Sequence, residues 1–494
     1  MSSETYEVIV VGGGIAGCFA AATAASKGAD VVQLERKPRE RGGHIACGDA
    51  MKSPNKPKMY PGPIDMGAIE DDADALIDWN IDQIEWWDEA VDVRKVIPYD
   101  GHSNVIDRYV FGQRLLEQTA DFGVDQHFDT VVNDVTQNGR VTGVEAVRKG
   151  EPVRYEGQVL IDGAGAQSIL QDLIDFEALD TGGETTFEMP HYTHFGSAYR
   201  EIIETEQPVD YQNAIVGKPL EEMGYIWYFP RTPTTINVGL GFQMTKGPIP
   251  LNDRLRQDME RRPEFDDAKI AEIFGEKDKL GSSIALRRPL DSMVAPGYLA
   301  AGGAAGMTHP ISGKGIRGAA ISGYSAGKTA AEAVADGDVS EYGLWEHNRY
   351  IFDHDEGPKL ASRDAYNVAA SSINPAILRA VAAMLPEEEI KTIVGTETDI
   401  ETLKGKALVG LGVLKNLVAE YRTGTFEELG ITKEELYDAI TGVRTTQQFV
   451  DEYDDHYENY PEDRARFEDW LSRRNRIDQR FYDALELSGD ERKY

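Results

Sequence analysis

Tyr6-Glu7-Val8-Ile9-Val10-Val11, followed by Gly12-Gly13-Gly14-Ile15-Ala16-Gly17, decides how the chain begins to fold. The first six residues are a short β-branched run of the kind that makes a buried strand. Cys18-Phe19-Ala20-Ala21-Ala22-Thr23-Ala24-Ala25 is small and alanine-rich, and alanine is the strongest helix former. The order is therefore strand, G-x-G-x-x-G, helix. In such a turn Gly12 permits the tight reversal, Gly14 lets a pyrophosphate reach the backbone, and Gly17 lets the helix pack on the strand. The helix start offers unpaired N–H groups and partial positive charge to phosphates. A second strand, Ala29-Asp30-Val31-Val32-Gln33-Leu34, ends in Glu35. That acid lies roughly 20 residues after the glycines, where a carboxylate takes a ribose hydroxyl. The combination predicts an α/β fold opening with a Rossmann-like dinucleotide-binding domain.

The 494 residues leave room for two or three domains. The formal charge is −34, from 51 Lys and Arg against 85 Asp and Glu. Such a surface repels nucleic acid, whose binding needs cations on the phosphates. The acids are spread along the whole chain, which points to a protein solvated for high salt and a halophilic source. Two cysteines, Cys18 and Cys47, make no disulfide framework, so a reducing compartment is expected. No apolar run reaches the ~18 residues of a membrane span, and no signal peptide precedes the first strand. The expected location is cytoplasmic, with peripheral contact on the inner face of the cell membrane compatible. His191 and His194 form an H-x-x-H pair without a third ligand motif, and are read as non-metal.

Further along, Arg36 to Gly67 reads as an extended loop containing Gly42-Gly43-His44-Ile45-Ala46-Cys47-Gly48-Asp49-Ala50. Residues 70–91 read as a helix carrying Trp79, Trp86 and Trp87 among acids. Asp107-Arg108 precedes a helix that closes at Gly123. Asn138-Gly139 signals a hairpin. Val159-Leu160-Ile161-Asp162-Gly163-Ala164-Gly165 is a second apolar strand running into glycines. Residues 190–245 alternate as an antiparallel sheet does. Tyr298-Leu299-Ala300-Ala301, a Gly-rich loop from Gly302 to Gly315, and a small-residue helix from Ile316 to Val334 return to the α/β style. The expected domains are 1–180 with 281–340 for the dinucleotide, 181–280 for an inserted antiparallel substrate sheet, and 341–494 for a C-terminal helical region. The last ~40 residues are expected to pack loosely.

Tyr225-x-Trp227-x-Phe229-Pro230, then eight residues, then Gly239-x-Gly241, is an aromatic and glycine signature. Tyr225, Trp227 and Phe229 alternate and share one face of a strand. Glycines on the next strand leave room for a ligand beside them. Together with the N-terminal glycines, the Cys47 loop and Ala305-Gly306-Met307-Thr308-His309-Pro310-Ile311-Ser312-Gly313-Lys314-Gly315-Ile316, this resembles the geranylgeranyl reductase family of FAD-dependent flavoproteins, which share the p-hydroxybenzoate-hydroxylase-like fold. The resemblance spans residues 5–335 in order.

It implies FAD at Gly12, Gly14, Gly17, Cys18, Glu35, Cys47, Gly48, Ala50, Arg108, Val131, Gly303, Gly315 and Ile316. It implies an isoprenoid cavity at Tyr225, Trp227, Phe229, Gly239 and Gly241, with Cys47 catalytic or positioning. The activity implied is saturation of C=C bonds on geranylgeranyl or polyprenyl chains of archaeal membrane lipids or their precursors. Electrons would come from NAD(P)H or a ferredoxin-like donor. Two alternatives share the fold: an FAD-dependent monooxygenase or quinone oxidoreductase, and a non-catalytic flavoprotein. The sequence departs from the family at two places. Gly303 in Gly302-Gly303-Ala304-Ala305-Gly306 stands where the family has Asp, removing a charge-assisted hydrogen bond of roughly 1.5–3 kcal/mol. His309 stands where Asn is common.

Overall fold

The computed structural model describes residues 2–52, 60–89, 93–183, 186, 187, 192–220, 223–244, 249–354, 356–373, 377, 431–489 and 492–494. Val8–Val11 sits inside a six-stranded sheet. The order is Val294–Ala295, Tyr298–Ala300, Val159–Asp162, Val8–Val11, Val31–Leu34 and Asp125–His127, parallel except at the Val294 edge. Strands covered on both faces read as continuous apolar runs, which is why Val-Ile-Val-Val and Val-Leu-Ile were legible as strands.

The helix Ile15–Ser26 is buried all round from Ile15 to Ala24. A Cβ on Gly323 would overlap Ala16 O, and one on Gly327 would overlap Ala20 O. Small residues on the helix Ile316–Asp336 therefore let two helix backbones touch. The contact pairs run in the same direction, so both helices present their N-termini at one end of the sheet.

A nine-stranded sheet carries the aromatic signature. Phe195–Glu204, Thr235–Gln243, Gly224–Thr232 and Ala214–Pro219 form its antiparallel centre. Here the helix expected over 70–91 is corrected. Leu76–Asp88 is a strand, parallel to Ala214–Pro219 and antiparallel to Val93–Ile106. Its Ile and Trp residues suit a pleated surface, and Glu85, one of the acids that suggested a solvated helix, finds its partners there instead. Glu85 is buried and accepts from Trp87 Nε1 at 2.7 Å and Arg94 Nε at 2.8 Å. The sheet is also not confined to 181–280. Ala50–Lys52 joins one edge from within the expected loop, and Lys279–Ala285 pairs with Phe195–Glu204.

The expected hairpin forms between Thr130–Gln137 and Val141–Arg148, with Gly139 at φ +66°. Helices Glu346–Asp353, Glu356–Ser372, Lys433–Glu458 and Phe467–Ala484 make up the described C-terminal region. The loose tail is a second correction. Tyr457 and Phe467 are fully buried, and Lys493 nearly so. Asp478 takes a bidentate bond from Arg288 at 2.9 and 3.0 Å, and Tyr457 donates to Asp291 at 2.6 Å. Aromatics and paired charges bind the tail to residues 286–294. Among the described residues no helix is long and apolar enough to cross a membrane.

Candidate functional site

The glycine turn is built as its spacing requires. Gly12 has φ +111°, and a Cβ there would overlap Gly163 O at the end of the second Gly-rich strand. A Cβ on Gly17 would overlap Gly12 O, so helix and strand touch backbone to backbone. At Gly14 nothing lies within 4 Å of an added Cβ, so the backbone faces open space. Glu35 closes the turn: its Oε2 accepts from Gly13 N at 2.7 Å and its Oε1 from Lys37 N at 2.8 Å.

The loop Gly302 to Gly315 lies against this turn, where a Cβ on Gly302 would come 2.7 Å from the Ala16 Cβ. Two helix N-termini thus converge, at Gly14 and Gly315. Neither is capped by a side chain and neither has an acid in its first turn. Their N–H groups and dipoles are left for an anion.

Between the sheets, Arg108 opens the helix Arg108–Asp121 behind its cap Asp107, which accepts from Tyr109 N and Val110 N. Arg108 is 2 % exposed, and its Nη1 has no partner. His309 and Ser312 bring two more unpartnered buried atoms, Nε2 and Oγ. The His309 Nδ1 accepts from Ile311 N at 3.3 Å and Ser312 N at 3.2 Å, which puts the ring proton on Nε2. Burial pushes His309 down to about 3, so the ring is neutral.

Uncapped helix starts, open space at Gly14, and orphaned donors at Arg108 and His309 fit a large dinucleotide with phosphates and a polar ring. The Gly303 departure has a local cause. A Cβ there would come 2.7 Å from Ala166 N, so the loop after the second Gly-rich strand occupies the place of an Asp side chain.

The Cys47 loop meets the aromatic strand directly. A Cβ on Gly48 would come 2.8 Å from the Phe229 ring. Tyr225, Trp227 and Phe229 do share one face, with Ile81, Val105, Ala198, Ile215 and Ala50 around them. Ile226 and Tyr228 face the other way, into a separate core. The room expected beside Gly239 is not free, because a Cβ there would overlap the Trp227 indole. Gly241 is looser, with Ser197 O nearest at 3.6 Å. Tyr225 Oη donates to Ser312 O at 3.2 Å, tying the aromatic strand to the loop before Ile316.

Burial pushes the Cys47 thiol up, the Asp49 carboxylate adds to this, and Arg108 and Arg200 oppose it. Cys18 stands apart. Its side chain is fully buried in the core, and burial pushes its thiol up to about 11. Val131 is 52 % exposed and next to Thr130, whose N–H donates to Glu35 O at 2.9 Å. His194 bonds Lys493 O at 2.6 Å, while His191 lies outside the described residues. Glu4, Asp125 and His127 also lie together, their atoms engaged by the Tyr6 and Tyr155 hydroxyls.

The group that joins these parts carries no sequence motif of its own. Arg231 Nε donates to Asp49 Oδ2 at 2.8 Å, and Asn237 Nδ2 donates to the same oxygen at 2.6 Å. Asn237 lies between Pro230 and Gly239 inside the quoted signature. A polar residue inside an otherwise apolar alternation was the signal available.

The fold and site define a flavin-dependent oxidoreductase. Residues 7–171 match the family model of the FAD dependent oxidoreductases, and residues 195–276 match the geranylgeranyl reductase catalytic domain. The chain is an FAD-dependent oxidoreductase built with a catalytic domain of the geranylgeranyl reductase type.

Curated relatives agree. Digeranylgeranylglycerophospholipid reductase of Sulfolobus acidocaldarius is 26% identical over 74% of this chain and 77% of its own. That of Methanoculleus marisnigri is 25% identical over 84% of this chain and 100% of its own. A solved geranylgeranyl bacteriochlorophyll reductase-like protein of Thermoplasma acidophilum is similar in fold. Its TM-score is 0.62 at 20% identity, covering 87% of this chain and 100% of that one. A flavin-dependent brominase shares the fold at TM-score 0.58 and 16% identity, over 85% of this chain and 100% of that one.

Proposed function

We propose that this chain saturates C=C bonds of geranylgeranyl or other polyprenyl chains on membrane lipids or their precursors. The observation that carries the reading is the seat of the Cys47-Gly48 loop on the Tyr225, Trp227 and Phe229 face, within the catalytic domain matched above. A largely apolar aromatic face, its Tyr225 and Trp227 polar groups already bonded within the protein, suits an isoprenoid chain.

When bound, FAD supplies the two electrons as hydride. Gly12, Gly14, Gly17 and Glu35, with backbone beside Val131, would hold its adenosine and pyrophosphate half. Arg108, Gly48, Ala50, Gly303, Gly315 and Ile316 would take its ring half. An isolated alkene is a poor hydride acceptor, so a proton must reach the opposite carbon. Cys47 would hold that proton, since its thiol, pushed up by burial, stays protonated at neutral pH. The loop from Gly302 to Gly315 and the aromatic wall keep water from the reacting carbons. The reductant is NAD(P)H or a ferredoxin-like protein that visits transiently, since no second dinucleotide motif occurs in the sequence. Access to a lipid substrate calls for peripheral membrane contact.

The test is anaerobic. Protein reduced with dithionite, freed of excess reductant and mixed with a geranylgeranyl lipid should recover its oxidised flavin absorbance. Recovery with oxygen but not with the lipid would reject the reading.

A further inference from the structure

Asp49 has a conformation and an environment that neither the glycine turn nor the aromatic wall explains. Its φ is +69°, a left-handed backbone that side chains other than Asn and Asp rarely adopt. It is 1 % exposed. One oxygen, Oδ2, takes Arg231 Nε at 2.8 Å, Arg231 Nη2 at 2.6 Å and Asn237 Nδ2 at 2.6 Å. The other, Oδ1, is buried and unpartnered.

Each partner of Asp49 reaches a different part of the site. Asn237 Nδ2 also donates to Cys47 O at 2.7 Å, and its Oδ1 accepts from Trp227 Nε1 at 2.9 Å. Arg231 Nη1 donates to Asp107 Oδ2 at 3.2 Å, the residue that caps the helix opening with Arg108. The backbone N–H of Asp49 donates to Cys47 Sγ at 3.3 Å. The sulfur thus accepts a bond from the protein, which favours the thiolate and sets the Asp49 N–H against its own carboxylate.

We propose that Asp49 is a positioning residue whose buried carboxylate locks the Cys47 loop to Trp227 and Arg231 and governs whether the Cys47 sulfur carries its proton. The proposal rests on the reading of Cys47 as the proton-holding group. Its physical basis is the balance of charge around the sulfur. The Asp49 carboxyl, pushed up by its burial against the pull of Arg231, Arg200 and Asn237, disfavours a thiolate, while Arg108, the Asp49 backbone N–H and Arg200 favour one. Tyr225 faces the sulfur from the aromatic strand as a neutral phenol, pushed up to about 12 by burial. Arg231 and Asp107 act through Asp49. Removing the Asp49 carboxylate leaves Arg108 and Arg200, the latter paired with Asp278, as the charged groups acting on the sulfur, beside the neutral Tyr225.

The test is the pH dependence of Cys47 alkylation by iodoacetamide in the FAD-loaded protein, read by the mass of its peptide. Cys18, fully buried, is the internal control. The wild-type midpoint should lie above the ~8.5 of free cysteine. Asp49→Asn tolerates the left-handed backbone and fills the same volume, and should lower the midpoint by roughly one unit or more. Asp49→Gly keeps the backbone if the Asn variant does not fold, and should move the midpoint the same way. A wild-type midpoint at or below ~8.5 would overturn the proposal. So would a folded variant whose alkylation rate changes without a shift of its midpoint, which is all that a structural role would give. A shifted midpoint in a protein that never turns over isoprenoid lipid would reject the functional reading and leave the role of Asp49 intact.

Discussion

A Cβ added at Gly239 would overlap the Trp227 indole, so the glycine makes room for a side chain of its own sheet. Trp227 is 6 % exposed, and its Nε1 satisfies Asn237. Trp227→Ala should therefore cost about 3–5 kcal/mol of stability, read as a large fall in thermal midpoint. An unchanged midpoint would mean the indole contributes little to the packing of this face. Gly303 makes the opposite kind of demand. Restoring the family's Asp there would push a side chain against Ala166 N. Gly303→Asp should lower the thermal midpoint and bring no gain in flavin retention on gel filtration, whereas tighter retention would show that the loop yields. At this scale the alternation of Tyr225, Trp227 and Phe229 was legible, because a strand repeats every two residues. What fills the space beside Gly239 was not, because that depends on which neighbouring strand is paired and in what register.

The helices Ile15–Ser26 and Ile316–Asp336 act as a unit. Their uncapped N-termini share one end because Gly323 and Gly327 let the backbones meet at Ala16 and Ala20. Gly327→Leu should force them apart, costing roughly 1–3 kcal/mol and releasing FAD. The check is flavin absorbance retained per protein after desalting. Full retention would place the anion site on one helix alone. The first helix and its glycines were legible because propensity, turn chemistry and strand patterning all agree there. The strand Leu76–Asp88 was not, because the acids between its Ile and Trp residues mimic a solvated helix. Their partners, such as Arg94 for Glu85, are fixed only when the strands pair. Asp49 was hidden for the same reason, since Arg231 and Asn237 lie far along the sequence.

Across the whole molecule, a net charge of −34 opposes compaction until it is screened. The Debye length falls from about 30 Å at roughly 0.01 M salt to about 3 Å at roughly 1 M. The thermal midpoint should rise over that range, and a flat response would contradict adaptation to high salt. Acid adds a second dependence. Burial pushes His194 and His347 down to about 4, against 6.5 when unfolded. The unfolded chain therefore takes up protons first, and stability is lost as pH falls through that window. In roughly 1 M salt, where charge repulsion is screened, the midpoint should drop between pH ~6.5 and ~4. A constant midpoint would mean these rings reach solvent. The most direct test of isoprenoid saturation is the product itself. Protein held anaerobically with an electron donor and a geranylgeranyl lipid should yield lipid heavier by one H2 for each double bond reduced. The gain should be absent when FAD is removed and restored when it is returned. A lipid recovered at its starting mass, beside a flavin that cycles normally with oxygen, would contradict the account.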